Sequence, residues 1–391
     1  MERGLFDRLK NQPPDALLAL IAQCRKDPRP GKIDLGVGVY RDEQGRTPVL
    51  RAVKAAERRL LETQASKSYL GPEGDTGFVR EIATLLFGAD RPEKRLVGLQ
   101  TPGGTGALRL AAELIKAAAP DATVWVGTPT WPNHQPILAS AGLKAATYRY
   151  FDVASQSVLF DEMMAALGGA KPGDVALLHG CCHNPTGGDL DAGQWARVAE
   201  LLAERGVLPV LDLAYHGLGG GLEADLTGLR ALTARIGRVL VAQSCDKNFG
   251  LYRDRTGALF ALCASAGEAE LVGSNLAALA RTNWSMPPDH GAAVARIVLE
   301  TPELAADWRA ELEEMRTRLN GVRAALAAAS PELAPLGRQN GMFSLLPIGP
   351  DVVARLREEH AIYMAGSGRI NIAGLATADV DRFVKALAAC R

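Results

Sequence analysis

The sequence lacks an excess of charge of either sign. Its 391 residues include 44 Lys and Arg against 44 Asp and Glu, so the formal net charge is zero. Proteins dedicated to binding nucleic acid usually carry a basic excess, and we therefore expect no nucleic-acid partner. The sequence also has no run of about 18 uncharged apolar residues, the length that a membrane-spanning helix needs. We expect no membrane partner either.

Cysteine is scarce and a secretion signal is missing. Six cysteines in a chain of this length, two of them adjacent at Cys181 and Cys182, do not form a disulfide framework. Residues 1–8 contain acidic side chains and no apolar segment, which argues against a signal peptide. We expect reduced thiols and a cytoplasmic protein.

The chain is long for a single core. Hydrophobic residues make up 47% and charged residues 23%, which are ordinary values for a globular protein. Single cores stop growing at about 250–300 residues, and no repeat or Gly/Ser linker separates two modules. We predict a large domain over residues 48–310, with residues 1–47 and 311–391 forming a small α+β domain together. A long helix over 303–328 would lie between them.

Short apolar runs alternate with helical patterns. The runs cover 124–126, 175–178, 207–211, 239–241 and 259–262, and the other helical patterns cover 52–62, 107–118 and 190–204. Runs that are apolar at nearly every position indicate strands buried on both faces of a parallel sheet. The alternation predicts an α/β fold with a doubly wound, mostly parallel sheet.

Polar clusters follow four of these runs, at residues 128–134, 179–187, 212–215 and 243–248. In open α/β sheets, ligands bind outside the carboxyl ends of the strands. The four clusters therefore predict one binding site.

Several residues in or near these clusters allow two interpretations. Gly103-Gly104-Thr105-Gly106 opens a helix and is either a phosphate cradle or an ordinary glycine-rich loop. Lys247 is either a Schiff-base amine in a partly dry cleft or a surface lysine. Its Ser244-x-x-Lys247 spacing matches an acyl-transfer motif whose other elements are absent. Asp212 is either the partner of a protonated ring nitrogen or a local cap.

The histidines, cysteines and remaining polar residues also have simpler interpretations. Asn184 precedes Pro185 and could be a turn residue. Trp131 and His134, taken singly, are typical of core positions. Cys181, Cys182 and His183 lack the spacing of a zinc site, and buried apolar packing suits the two cysteines better.

Five motifs in order give the chain a family resemblance. They are 34–40 (DLGVGVY), 100–109 (QTPGGTGALR), 181–187 (CCHNPTG), 247–252 (KNFGLY) and 367–374 (SGRINIAG). Together they resemble the class I pyridoxal-phosphate aminotransferases, in particular the aspartate and aromatic amino acid subgroup. The resemblance covers nearly the whole chain and implies the fold type I architecture of these enzymes, with pyridoxal 5'-phosphate as the cofactor.

The resemblance also implies residue roles. Lys247 matches the Schiff-base lysine that moves the α-proton, Asp212 the partner of the pyridine nitrogen, and Tyr215 a donor to the phenolate oxygen. The other implied cofactor residues are Asn184 at the phenolate, Trp131 and Ala214 on the ring faces, His134 and His179 behind Asp212, Gly103, Gly104, Thr105, Ser244 and Arg255 at the phosphate, and Tyr69 from a neighbouring subunit.

Substrate contacts are implied in the same way. Arg369 matches the clamp on the α-carboxylate, with Gly38, Trp131 and Asn184 beside the substrate. Arg281 matches a second arginine, which in the family comes from the partner subunit and binds a side-chain carboxylate. A homodimer with shared active sites is therefore implied.

The implied activity is transfer of an amino group from an aromatic amino acid or aspartate to 2-oxoglutarate by a ping-pong mechanism. The alternatives are a strict aspartate aminotransferase and a pyridoxal-phosphate β-decarboxylase or lyase on the same fold. A non-catalytic, cofactor-binding module of a DNA-binding regulator is a further alternative. The absence of an evident basic helix-turn-helix pattern argues against it.

Two departures from the family pattern bear on these expectations. Asp246 precedes the lysine where relatives more often have Ser or Ala. It either pairs with a surface base or raises the pKa of the Schiff base. Met286 replaces a small polar residue and Ser68 a frequent Asn, whereas Val39 and Thr47 are aspartate-like. A more apolar pocket near Arg281 predicts mixed acidic and aromatic specificity.

Overall fold

The computed structural model describes residues 5–12 and 16–391. Residues 1–4 and 13–15 of the predicted small domain lie outside the described residues. The helices of the described ranges are α1 (Ala16–Lys26), α2 (Arg51–Thr63), α3 (Thr76–Phe87), α4 (Gly103–Ala118), α5 (His134–Ser140), α6 (Phe160–Gly168), α7 (Ala192–Arg205), α8 (Thr227–Arg235), α9 (Ala266–Asn283), α10 (Asp289–Glu300), α11 (Pro302–Ala329), α12 (Pro350–His360) and α13 (Val380–Cys390). None of these helices combines the length and apolarity that crossing a bilayer requires.

The strands of the same part of the chain build one large sheet and three small pairs. They are β1 (Ile33–Asp34), β2 (Leu96–Pro102), β3 (Thr123–Thr128), β4 (Lys144–Arg149), β5 (Phe151–Asp152), β6 (Ser157–Val158), β7 (Val175–His179), β8 (Leu208–Leu213), β9 (Val239–Ser244), β10 (Thr256–Leu262), β11 (Phe343–Leu345), β12 (Ile362–Tyr363) and β13 (Arg369–Asn371). The large sheet has seven strands in the order β2-β10-β9-β8-β7-β3-β4. The pairs are β1 with β12, β11 with β13 and β5 with β6.

All five predicted strand runs lie in the large sheet, and all four predicted helices are present. One expected direction is wrong, because β10, which contains the run 259–262, is antiparallel to both β2 and β9. The pairs among β3, β4, β7, β8 and β9 are parallel. A continuous apolar run reports burial on both faces of a sheet, and it carries no information about strand direction.

Helices cover both faces of the large sheet. Side chains alternate along a strand, so Val239 and Val241 of β9 pack in one apolar cluster while Leu240 and Ala242 pack in the other. Side chains of α6, α7 and α8 belong to the first cluster, and side chains of α4, α5 and α9 belong to the second. The predicted α/β class with a mostly parallel, doubly wound sheet is confirmed.

The long helix α11 contacts two segments that are far apart in sequence, the first turn of α2 and the residues after Lys247. Its Glu311 is 6% exposed and accepts the backbone N–H groups of Arg51 at 2.7 Å and Ala52 at 3.0 Å, at the first turn of α2. Trp308 Nε1 donates to the carbonyl of Asn248 at 2.8 Å, and its ring stacks on Phe249. The helix therefore fixes both the start of α2 and the segment after Lys247.

The N-terminal segment joins the chain after α11. Strand β1 pairs with β12 in parallel, and the carbonyl of Leu35 accepts the N–H of Asn371 at 2.7 Å. These pairings suit a small domain built from both ends of the chain. The division at residues 47 and 310 stays a prediction.

We expect Glu311→Ala to lower the free energy of unfolding by about 2–3 kcal/mol, because two backbone donors lose a charged acceptor. Urea denaturation at one protein concentration and saturating cofactor measures the change. The control is Glu314→Ala on the same helix, whose side chain is 67% exposed, and which should change stability by less than about 0.5 kcal/mol. Equal effects of the two substitutions would contradict the assigned role of Glu311.

Candidate active site

A cavity of about 220 Å³ opens at the carboxyl ends of β7, β8 and β9, beside the N-terminus of α4. It is lined by Gly38, Gly104, Thr105, Leu108, Trp131, His179, Asn184, Asp212, Ala214, Tyr215, Ser244, Asp246, Lys247, Tyr252 and Arg255. Each of the four polar clusters contributes to this lining, so the expectation that they form one site is confirmed.

Asp212 is a buried carboxylate that a histidine supports from behind. Its Oδ2 lies 3.1 Å from His134 Nε2, and His134 Nδ1 lies 2.8 Å from Thr130 Oγ1. A carboxylate can only accept hydrogen bonds, so Nε2 of His134 carries a proton and donates to Asp212, while Nδ1 is hydrogen-bonded to the Thr130 hydroxyl. Burial alone would raise the pKa of Asp212, but the hydrogen bond from His134 and the nearby Lys247 ammonium hold it below its ordinary value.

His179 lies beside Asp212 on the neighbouring strand. The two residues are paired in the register of β7 and β8, and the His179 ring is tilted against the His134 ring, with 5.1 Å between centroids. Burial and the proximity of His134 lower the pKa of His179 to about 3. His179 is therefore neutral at physiological pH and contributes no positive charge beside Asp212.

Lys247 follows β9 in the segment that α11 holds. Burial lowers the pKa of its ammonium group, against the opposing effects of Asp246 and Asp212. Nζ lies 5.2 Å from the centre of the Tyr215 ring. The neutral amine, which a lowered pKa makes more available, is the form of lysine that attacks a carbonyl carbon.

Tyr215 and Asn184 present hydrogen-bonding groups on the same wall. Asn184 Nδ2 donates to Tyr215 Oη at 3.3 Å, and burial raises the pKa of the Tyr215 phenol. The phenol therefore stays protonated and can donate to a ligand oxygen.

Gly103 and Gly104 in the first turn of α4 face Ser244 at the end of β9 and Arg255, and these residues form a glycine cradle. Gly103 has φ +69°, and a Cβ added to it would lie 2.6 Å from Arg255 Nη2. A Cβ on Gly104 would lie 3.0 Å from the Cβ of Ser244. Backbone N–H groups at the start of this helix, with the guanidinium of Arg255, suit a bound anion.

Asp246 does not turn to a surface base, as the simpler interpretation expects. It is buried, and its Oδ2 accepts a hydrogen bond from Arg255 Nη1 at 2.5 Å. The carboxylate therefore lies inside the cradle region.

Arg369 lies at the small-sheet side of the site, above the ring of Phe343. Its guanidinium carbon is 4.5 Å from the ring centroid, and Nη2 donates to the carbonyl of Gly36 at 3.2 Å. Nε is buried without a partner among the described residues. Asn371 Nδ2 donates to the carbonyls of Val37 and Val39, at 2.5 and 2.8 Å, and so fixes the backbone of Gly38 at the cavity.

Tyr69 and Arg281 are not brought into the cavity of their own chain. Tyr69 is 93% exposed beside a groove of about 870 Å³ that Met286 also lines. Arg281, near the end of α9, is exposed and donates a hydrogen bond to Ser285.

Reasoning from the sequence missed Tyr252 and Phe343. Tyr252 lines the cavity, and its Oη accepts the N–H of Tyr40 at 2.8 Å. It stands in the motif that begins at Lys247, so the signal was present. Phe343 had no signal, because its position beside Arg369 depends on the pairing of β11 with β13.

The cavity fits pyridoxal phosphate chemically. Lys247 supplies an amine for the aldehyde, Asp212 an ionised carboxylate for a ring nitrogen, and the glycine cradle a place for a phosphate group that any Cβ would narrow.

Comparisons with known proteins agree with this geometry. The family model described as "Aminotransferase class I and II" matches residues 30–387. The tyrosine aminotransferase of Rhizobium meliloti (strain 1021) is 57% identical, over 96% of this chain and 97% of that protein. The aspartate aminotransferase of Salmonella typhi is 43% identical, over 98% and 100%. The structure of an aromatic-amino-acid aminotransferase from Burkholderia pseudomallei, covalently bound to pyridoxal phosphate, superposes with a TM-score of 0.96 at 41% identity, covering 99% of this chain and 100% of that one.

We expect His134→Phe to destabilise the protein in a pH-dependent way. The ionised form of Asp212 stabilises the fold above the unfolded-state pKa, because its folded-state pKa is lowered. Losing the His134 donor should therefore lower the free energy of unfolding by about 1–3 kcal/mol at neutral pH. The deficit should shrink as the pH falls through the folded-state pKa of Asp212, which is lower with His134 present than with Phe, because the unfolded chain protonates alike in both proteins. Urea denaturation at a series of pH values measures it.

The conservative control is His134→Gln, whose amide can still donate to Asp212 and which should retain part of the stability. A deficit that stays constant even at the acid end of the series, where Asp212 protonates in both folded proteins, would mean that His134 acts through packing alone.

Proposed function

The chain belongs to the class I and II aminotransferase family, whose members depend on pyridoxal phosphate, and from that premise we propose its substrates. We propose that this aminotransferase moves the amino group of an aromatic amino acid or aspartate to 2-oxoglutarate by a ping-pong mechanism. The observation that carries the proposal is that Lys247 and an ionised, buried Asp212 face one cavity.

The chemistry divides between the cofactor and the residues around it. When bound, the cofactor supplies an electron sink for negative charge at the substrate α-carbon. Asp212, with His134 behind it, keeps a proton at the ring nitrogen. Lys247 Nζ, uncharged once substrate has bound, would take the proton from the substrate α-carbon and deliver it to the C4′ carbon of the cofactor. Tyr215 and Asn184 would hold the ring oxygen, and Trp131 and Ala214 would flank the ring.

The anion cradle orients the cofactor. Gly103, Gly104 and Thr105 offer backbone and hydroxyl donors, Ser244 adds a hydroxyl, and Arg255 adds charge. These groups would hold the phosphate of the cofactor.

Arg369 binds the substrate α-carboxylate. Burial lowers the pKa of this guanidinium, yet an arginine remains charged at physiological pH. Its contact with Phe343 and the Gly36 carbonyl leaves other N–H groups for a carboxylate. The backbone at Gly38 closes this side of the substrate pocket.

A homodimer completes each site. Tyr69 and Arg281 are exposed on their own chain and absent from its cavity lining, as expected for residues that serve the site of a partner subunit. Tyr69 then binds phosphate, and Arg281 binds the side-chain carboxylate of a dicarboxylic substrate.

The pocket near Arg281 accommodates aromatic substrates as well. The backbone N–H of Leu70 donates to Met286 Sδ at 3.0 Å, so an apolar thioether borders the Tyr69 segment. The names of the relatives above, one for tyrosine and one for aspartate, support the same dual range. A strict aspartate aminotransferase is the second candidate, favoured by Val39 and Thr47. A β-decarboxylase or lyase is separated from both by the product, since only transamination keeps the carbon skeleton.

The free cysteines support a proposal for the cellular compartment of the protein. All six cysteines are free and buried. A reducing compartment suits such a protein, so we propose the cytoplasm.

The visible spectrum of the holoenzyme tests both the lysine and the substrate range. Aspartate and phenylalanine, added separately, should each abolish the absorption band of the Schiff base with Lys247, because either donor converts the cofactor to its amino form. Loss of this band with aspartate alone would favour the strict aspartate enzyme. Absence of the Schiff-base band even after addition of pyridoxal phosphate would refute the role of Lys247.

The substitution Arg281→Leu tests whether this arginine binds the side-chain carboxylate of aspartate. We expect kcat/KM for aspartate to fall about a hundredfold, since a desolvated carboxylate loses its partner. The value for phenylalanine, which serves as the internal control, should change by less than about threefold because no ion pair is lost.

Mixing subunits tests whether the site is shared. Hybrids of Arg281→Leu chains with Lys247→Ala chains contain one site with both residues intact, if Arg281 comes from the partner. The mixture should then show aspartate activity well above that of either variant alone. No regain after verified subunit exchange would place Arg281 in the site of its own chain or outside both.

A further inference from the structure

An acidic side chain lies where the cavity is built for an anion. Asp246 lines the cavity beside Gly104, Thr105 and Ser244, and it is 4% exposed. A Cβ added to Gly103 would lie 3.2 Å from Asp246 Oδ2. The carboxylate is therefore in close range of the glycine cradle.

One oxygen of Asp246 is unpaired. Oδ1 is buried and has no hydrogen-bond partner among the described residues, while the N–H of Asp246 is directed to Ser244 Oγ at 3.3 Å. A buried acceptor without a donor is unfavourable. Asp246 therefore does not complete a satisfied structural network, and a different reason for its presence is needed.

Arg255 is the cation that Asp246 and an anion in the cradle would share. Its Nη1 donates both to Asp246 Oδ2 at 2.5 Å and to the carbonyl of Tyr252 at 3.1 Å. Nε and Nη2 remain for other acceptors. The Arg255 side chain is 41% exposed, so solvent or a bound anion can satisfy it and it does not need Asp246 as a counter-ion.

We propose that Asp246 competes with the phosphate group of the cofactor for Arg255 and thereby makes the cofactor exchangeable with solution. A phosphate monoester carries close to two negative charges at neutral pH. A carboxylate on the same guanidinium offsets part of the attraction and repels the anion directly. The effect is greatest for the amino form of the cofactor, which has no bond to Lys247. The inference rests on the proposed function in assigning the cradle and Arg255 to the phosphate.

Binding to the apoenzyme tests the competition without turnover. Asp246→Asn removes the charge and keeps the shape, and Asp246→Ser also adds a hydroxyl donor. Isothermal titration calorimetry with pyridoxamine phosphate, and with inorganic phosphate, should give a Kd at least about tenfold lower for both variants than for the unsubstituted chain. Pyridoxamine phosphate should also dissociate more slowly by a similar factor. Pyridoxamine, which lacks the phosphate, should bind equally to all three.

Two further variants separate the possible failures. Asp254→Asn makes the same charge change outside the cavity lining, and it should leave each Kd unchanged. Arg255→Gln should weaken phosphate binding, and if it does not, the cradle assignment fails along with that part of the proposed function. If Arg255→Gln weakens binding while the Asp246 variants bind equally or less tightly, the competition is refuted and Asp246 orients Arg255. Circular dichroism verifies that each variant is folded.

Discussion

The hydrogen bond between His134 and Asp212 is the interaction on which the site depends. A carboxylate buried to this degree would by itself bind a proton, because the charged form loses its hydration. The His134 donor, held in place by its hydrogen bond with Thr130, reverses this tendency and lowers the pKa of Asp212. An ionised carboxylate in a dry site can then hold a proton on a ligand's ring nitrogen, which a neutral acid could not do.

The scaffold accounts for how these groups meet. Parallel strands end at one edge of a sheet, so residues distant in sequence, such as His179 and Asp212, become register partners. The antiparallel strand β10 starts at the edge where β9 ends, so Arg255, directly before β10, lies beside the cradle that Gly103 opens. The helix α11 adds the remaining constraint, because Trp308 holds the carbonyl of the residue after Lys247.

The sequence alone was sufficient for features that local patterns encode. Apolar runs located five of the seven strands of the large sheet, all but β2 and β4, and the polar residues after them located the cavity. Strand direction at 259–262 was missed, since burial on both faces looks the same in either direction. Phe343 was missed because its position beside Arg369 arises from the pairing of β11 with β13, a contact between segments that share no pattern. The roles of Tyr69 and Arg281 stay predictions, since a single chain does not contain the surface that they would serve.

Asp246 illustrates how a residue's neighbours decide its meaning. Its sequence position, next to Lys247, suggested either a surface contact or an effect on the lysine. In the folded chain Asp246 Oδ2 pairs with Arg255 at 2.5 Å, close to Gly103 of the anion cradle. A covalently held cofactor tolerates a weaker phosphate site, because the bond to Lys247 retains it during half of the catalytic cycle. The charge on Asp246 therefore acts mainly when that bond is absent, which ties cofactor retention to the presence of a second substrate.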